Sequence, residues 1–181
     1  MLFRSEYGIE KGHIETVHAY TNDQNLLDNF HKKYRRGRSA ALNMVITETG
    51  AGKAVTKVIP ELKDKLTANA VRVPVPNGSL AIMNLTLDRE TSIDEINAAV
   101  KKAALEGDLV NQIHYSIEPE LVSSDIVGDT CCSVYDSKAT LVHPDKKSVV
   151  LYVWYDNEFG YTKQVIRLAK YVAKVRRKHY Y

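Results

Sequence analysis

The chain has 181 residues, 44% hydrophobic and 26% charged, a balance that suits one globular domain with a stable core. Its net charge of +3 is too small to demand a nucleic-acid partner, and its longest apolar run, 149–155, is too short to cross a membrane. Cys131 and Cys132 are adjacent, hence poorly placed to bridge each other, which points to a reducing, cytoplasmic setting. The opening M-L-F-R-S-E lacks the apolar run of a secretory signal.

Residues 1–12 are short and mixed, with Tyr7-Gly8 reading as the end of an element. Residues 14–20 alternate as a strand that delivers one polar group, His18, near its end. The polar stretch 22–37 carries His31, Lys32, Lys33, Arg35 and Arg36 and reads as a long excursion from a sheet. Asp23 is placed to cap a single helical turn there. The chain returns as a strand over 40–47, and Thr49-Gly50-Ala51-Gly52-Lys53 opens a helix to about residue 59.

Strands over 66–73 and 79–88 flank a break made by Pro74, Pro76 and Asn77-Gly78. Ser92 and Glu95 form a capping box for a helix through Leu105, which Gly107 ends. Residues 112–117, 132–136, 140–143 and 149–155 read as strands. The last element, 157–177, is helical, with Val165, Leu168, Ala169, Val172 and Val175 on one apolar stripe. The strands cluster without regular strand–helix–strand alternation, and no G-x-G-x-x-G follows a strand. The expected fold is therefore α+β: a mostly antiparallel or mixed sheet, helices packed on one face, a long C-terminal helix, and no dinucleotide-binding domain.

Four places carry chemistry. A histidine on a strand is more often structural than catalytic, but His18 lies just before Thr21 and a basic loop, where a ligand can approach. A neutral imidazole there could take a proton or pair with a thiolate. The Gly-bearing turn at 49–53 presents backbone N–H groups at a helix start, which suits phosphate, although it is not a P-loop. Arg72 sits among apolar residues in V-R-V-P and needs a carboxylate or an anion as partner. Asp156-Asn157-Glu158 joins an apolar strand to the last helix and fits an N-cap. The two cysteines read as core residues.

In this order, T-V-H-A-Y-T-N-D-Q at 16–24, Y-R-R-G-R-S-A-A at 34–41, T-G-A-G-K-A-V at 49–55, V-I-P-E-L at 58–62, V-R-V-P-V-P-N at 71–77, V-S-S-D at 122–125 and W-Y-D-N-E-F-G-Y at 154–161 resemble the catalytic half of phosphorylating glyceraldehyde-3-phosphate dehydrogenases. The resemblance covers nearly everything from Glu6 onward. It implies that His18 activates a catalytic thiol and serves as acid and base during hydride transfer. It implies substrate-phosphate contacts from Thr21 and Arg72, an inorganic-phosphate site at Thr49 and Gly50, and a supporting cation in Arg36. Asn157 would orient the nicotinamide of NAD, with Tyr161 close by. The loop at 22–38 would line the cofactor pocket across a subunit interface.

The same resemblance implies a division into a catalytic domain at 1–156, truncated at its start, and a helix at 157–181 that docks on an NAD-binding domain. The family's nucleophilic cysteine lies upstream of the histidine strand, where this chain does not extend, and Cys131 and Cys132 match non-catalytic positions. The expectation is a piece of a cytoplasmic, homotetrameric glycolytic oxidoreductase that acts on glyceraldehyde 3-phosphate, inactive as this isolated chain. Erythrose 4-phosphate is an alternative substrate. A non-catalytic module binding phosphate groups or RNA through the basic loop is an alternative of another class, which His18 and Asn157 argue against.

Overall fold

Alternation and turn chemistry place the strands, and one shared apolar face assembles them. The computed structural model describes residues 2–175. In chain order these residues form α1 (Leu2–Tyr7), β1 (Lys11–Ala19), β2 (Val45–Thr47), α2 (Ala51–Val58), β3 (Leu66–Val73), β4 (Ser79–Thr86), α3 (Ile93–Leu105), β5 (Ile113–Ser116), β6 (Ser133–Asp136), β7 (Leu141–Val142), β8 (Ser148–Tyr155) and α4 (Phe159–Val172). The strands make one mixed sheet in the order β2-β3-β1-β4-β8-β6-β5, with β7 beside β8. Only β1–β3 and β5–β6 run parallel; the other pairings are antiparallel. The α+β expectation is met.

One face of the sheet carries the core. Leu85, Val149, Leu151 and Tyr135 are buried there against Tyr7 and Ile9, Leu62 after α2, and Ile96 and Val100 of α3. Burial of such side chains from water is the dominant stabilising contribution, about 1.5–3 kcal/mol for each fully buried aliphatic residue. The period of two sends Ile14, Thr16 and His18 to this same face of β1, with Leu66, Ala68, Ala70 and Arg72 beside them on β3. An apolar groove of about 470 Å³ lies on this face, lined by Phe3, Ile14, Val55, Met83, Val153 and Tyr155 among others. The helices thus cover the sheet toward Lys11, while the Ala19 end of β1 carries polar groups.

Several elements differ from the sequence expectation. Residues 40–47 yield a strand only at 45–47, because Ala40 N–H donates to the Asn25 carbonyl (3.0 Å) and Ser39 Oγ donates to the Leu26 carbonyl (2.7 Å). The chain there is bonded to the first limb of its own loop, and sheet pairing starts at Val45 opposite Arg72. Asp23 caps no helical turn; its carboxylate pairs with Arg36 and lies 3.7 Å from His31. The loop folds back on itself, and a Cβ at Gly37 would sit 2.4 Å from the Asn29 carbonyl oxygen, so only glycine fits that crossing. The fourth strand stops at Thr86 rather than 88, and the last helix begins at Phe159 rather than 157. That helix also ends at Val172, with its C-cap at Ala173 and Lys174 at φ 53°, rather than continuing to 177; the end of the basic cluster, 176–178, lies outside the described residues.

Candidate functional site

The parallel register of β1 and β3 sets His18 directly opposite Arg72, one residue before β1 ends. Arg72 Nη1 is 2.6 Å from His18 Nδ1 and 2.9 Å from the Ala19 carbonyl oxygen, and His18 Nδ1 is 2.7 Å from that same oxygen. The Tyr155 ring stands edge-on to the imidazole, with centroids 5.9 Å apart. Burial is the chief reason that His18 titrates below the ordinary imidazole range; the Ala19 carbonyl opposes this and the Arg72 charge adds to it. The ring is therefore neutral near pH 7, the state a proton acceptor needs. Burial and the neighbouring Arg36 charge also lower the affinity of Arg72 for its proton. Its Nε is buried with no hydrogen-bond partner among the described residues.

The start of β4 and the end of β8 complete the cluster, since Ser79 pairs with Tyr155 across the sheet. Ser79 is 1% exposed; its Oγ accepts from the Ala19 N–H (3.1 Å) and donates to Asn157 Oδ1 (2.8 Å). With its Oδ1 accepting the Ser79 hydroxyl proton, Asn157 has its Nδ2 donor turned away from Ser79. Gly78, with φ +89°, makes the turn into Ser79, and a Cβ there would lie 2.4 Å from the Ser123 carbonyl oxygen. The turn therefore requires glycine at this position. Asp156 accepts from the N–H groups of Glu158 (2.8 Å), Phe159 (2.7 Å) and Gly128 (2.8 Å) and from Asn77 Nδ2 (3.1 Å). Asn157 is thereby held from both neighbours in the chain.

The remaining sequence-derived residues sit around this cluster in unequal ways. Arg36 is 9% exposed: Nε donates to Thr47 Oγ1 (2.9 Å), Nη2 to the Glu48 carbonyl (3.4 Å), and Nη1 pairs with Asp23. It ties the loop to β2 and the segment before Thr49. Thr49 is half-buried, and its Oγ1 accepts from the Ala51 N–H (3.2 Å) at the start of α2. Gly50 is exposed, with open space where a Cβ would point. Thr21, half-buried, lies two residues beyond β1, and its carbonyl accepts from Gln24 N–H (2.9 Å). Tyr161 is 69% exposed near the start of α4. The structure therefore joins His18, Arg72 and Asn157 in one bonded cluster, with Arg36 as an electrostatic neighbour of Arg72.

Sequence reading missed Ser79 and Tyr155, which link the pieces. Ser79 carried one signal, a hydroxyl at the first position of an apolar alternating strand. The two cysteines are not the core residues expected: Cys131 is half-buried and Cys132 exposed, immediately before β6, where the strand leaves the core. Burial, with Asp129 beside it, pushes the Cys131 thiol up to about 11, and Cys132 donates to the Gln112 carbonyl (3.3 Å).

The family model described as "Glyceraldehyde 3-phosphate dehydrogenase, C-terminal domain" matches residues 1–157. The chain is 55% identical over 170 residues to the "Glyceraldehyde-3-phosphate dehydrogenase-like protein" of Pseudomonas aeruginosa, a match covering 94% of this chain and 36% of that protein. It is 50% identical over 166 residues to the "Glyceraldehyde-3-phosphate dehydrogenase" of Streptomyces coelicolor, covering 92% of this chain and 49% of that protein. With "Glyceraldehyde-3-phosphate dehydrogenase 1" of Bacillus subtilis it shares 49% identity over 173 residues, 96% of this chain and 51% of that protein. The chain thus spans between about a third and a half of the length of these relatives.

Proposed function

The chain belongs to the glyceraldehyde 3-phosphate dehydrogenase C-terminal domain family, and we propose that it is the catalytic half of a phosphorylating dehydrogenase that converts glyceraldehyde 3-phosphate, NAD and inorganic phosphate to an acyl phosphate. In this reading a thiol from a segment outside the chain adds to the aldehyde. NAD, when bound, would supply the hydride acceptor that turns the hemithioacetal into a thioester; a phosphate oxygen then attacks the thioester carbonyl, the C–S bond breaks, and the acyl phosphate and the free thiol result. His18 Nε2 takes the thiol proton, passes it to the oxygen that becomes the hemithioacetal hydroxyl, and takes it back as that hydroxyl becomes the thioester carbonyl. Arg72 and Thr21 hold the substrate phosphate, and Thr49 and Gly50 offer the helix start of α2 to the attacking phosphate. Asn157 Nδ2, turned away from Ser79, is the donor for the nicotinamide carboxamide, with Tyr161 nearby.

The observation that carries the reading is the in-register pairing of His18 with Arg72 in a cluster that Ser79 extends to Asn157. A proton acceptor, an anion-competent cation and an oriented amide share one end of one sheet face. Residues 1–156 are then the catalytic domain, and the helix within 157–181 docks on the cofactor domain. The exposed stripe of Leu168 (63%) and Val172 (71%) supports that docking. Leu26, Leu27, Phe30 and Tyr34, all exposed on the basic loop, support its role as a contact between subunits of a tetramer. Among the described residues no helix is long and apolar enough to cross a membrane.

The test joins the chain to the upstream half of the Bacillus subtilis relative and follows NADH formation with glyceraldehyde 3-phosphate and phosphate. The chimera should turn over, the isolated chain should not, and His18→Asn in the chimera should lower kcat by about 10²–10⁴-fold. Activity of the isolated chain, or a chimera indifferent to His18, would overturn the assignment.

A further inference from the structure

We propose that Arg72 selects the tautomer of His18: while it bonds to Nδ1 it keeps the imidazole proton on Nε2, and an oxyanion that draws Arg72 away moves that proton to Nδ1 and makes Nε2 the acceptor. This inference rests on the functional reading above and adds a coupling between anion binding and the base.

The geometry is a triangle of three polar atoms, His18 Nδ1, Arg72 Nη1 and the Ala19 carbonyl oxygen, with edges of 2.6, 2.7 and 2.9 Å. A guanidinium nitrogen only donates and a carbonyl oxygen only accepts, whereas a neutral imidazole nitrogen does one or the other. If Nδ1 carries the proton, it serves the Ala19 carbonyl but meets an N–H of Arg72 head-on at 2.6 Å. If Nδ1 is bare, Arg72 donates to both Nδ1 and the carbonyl, and the unmet edge is a contact between two lone pairs. No protonation of a neutral ring satisfies all three edges. The second arrangement makes two charge-assisted bonds, which are roughly twice as strong as neutral ones. The first sets a cation against a positive N–H. Arg72 bonded to Nδ1 therefore favours a bare Nδ1 and a proton on Nε2, the nitrogen that a reactant would need free.

Arg72 also has a reason to leave. Its buried Nε lacks a partner among the described residues, and the Arg36 charge acts on it from the loop. A dianionic phosphate, free or carried as a monoester, satisfies the unused donor and relieves that repulsion. With Arg72 turned to the anion, one proton leaves Nε2 to solvent and another joins Nδ1, which then donates to the Ala19 carbonyl. The ring charge is unchanged. The charged and titratable groups facing His18 are Arg72 from β3 and Tyr155 from β8, with Arg36 one step further; among them only Arg72 contacts Nδ1. Arg72 is thus a positioning residue for the base, in addition to its role in holding phosphate.

The experiment uses the 181-residue chain with ¹⁵N-labelled histidine at about pH 8, above the ordinary imidazole range. Long-range ¹H–¹⁵N correlation spectra report which ring nitrogen is bare, and His18→Asn assigns the signal. The free chain should show a bare Nδ1, and saturating inorganic phosphate or glycerol 3-phosphate should reverse the majority tautomer. A reversal by both ligands means that the anion alone suffices, and by the monoester alone that the carbon chain is needed to seat it. Arg72→Ala should show the reversed pattern with no ligand. A free chain already protonated at Nδ1 would overturn the proposal. So would phosphate that shifts the Arg72 and Ala19 amides yet leaves the tautomer unmoved, an outcome that spares the phosphate site itself. Phosphate that shifts neither amide overturns both the coupling and the anion-binding reading of Arg72. The titration of the unsubstituted chain decides the matter even where Arg72→Ala does not fold.

Discussion

Helices α3 and α4 are nearly equal in length, 13 and 14 residues, and both are amphipathic, yet one is part of the core and the other stands off it. Helix α3 buries Ile96 and Val100 completely against the sheet. Helix α4 exposes Val165, Leu168, Tyr171 and Val172, and within it only Gly160 is buried. Their starts differ in the same sense. Ser92 and Glu95 close a capping box within α3 itself, whereas α4 is capped by Asp156, a residue that also ties Gly128 and Asn77 together. An apolar stripe shows that a helix has a covered face, but its partner need not lie in the same chain segment. Helix α4 is anchored at its root, next to Asn157, and leaves most of its apolar stripe exposed, as the docking proposed above requires.

The sharpest way to break this contrast is to weaken the core side. Ile96→Ala should cost about 2–5 kcal/mol in chemical unfolding, since a fully buried side chain leaves a cavity among Leu85, Leu87 and Leu151. A loss below 1 kcal/mol would mean that α3 is no better seated than α4.

The caps give the next largest effects. Asp156→Asn should cost about 1–3 kcal/mol, because buried N–H groups lose a charged acceptor. Burial pushes the Asp156 carboxyl up, but its bonds from Gly128, Glu158, Phe159 and Asn77 outweigh this and hold it below the ordinary aspartate value of 3.8. A depressed folded value means that this stabilisation is present above the ordinary aspartate range and is lost as pH falls through the folded value. The Asn variant should therefore show a shallower loss of stability in acid than the parent. Ser92→Ala, which breaks one exposed capping box, should cost about 1 kcal/mol with no such pH dependence.

The smallest effect sharpens the comparison from the other side. Leu168→Lys should change the unfolding free energy of the isolated chain by less than about 0.5 kcal/mol. In the chimera with the Bacillus subtilis upstream half, the same change should lower the melting temperature or the yield of folded protein. Insensitivity in both settings would remove the docking role of α4.

Much of the fold was legible in the residues, and the exceptions share one physical cause. The strand at 66–73, the Ser92–Glu95 box and the run ending at Tyr155 follow from period-two alternation and capping chemistry, which act within a few residues. The expected strand at 40–47 failed over its first half because Ser39 and Ala40 bond to the opposite limb of the loop, a partner about 14 residues away. Asp23 has the side chain of a capping residue, but Arg36 takes it, since a nearly buried guanidinium demands a carboxylate more strongly than a short turn demands a cap. Of the site, His18 and Arg72 stood out as polar residues in apolar strands. Ser79 and Tyr155 did not, because a serine and a tyrosine in a strand have many unremarkable uses.

The sequence by itself determined most of the elements, the class of fold, the family and the residue types that carry the chemistry. These rest on local patterning and on motifs collinear along the chain. Only the tertiary structure decided that β1 and β3 run parallel in a register that sets His18 against Arg72, and that Ser79 bonds to both Ala19 and Asn157. Register depends on which side chains fill the shared face across strands some 50 residues apart, and no short window of sequence holds that information. The frustrated contact of Nδ1, Nη1 and the Ala19 oxygen is a product of that register, and so is the coupling it implies.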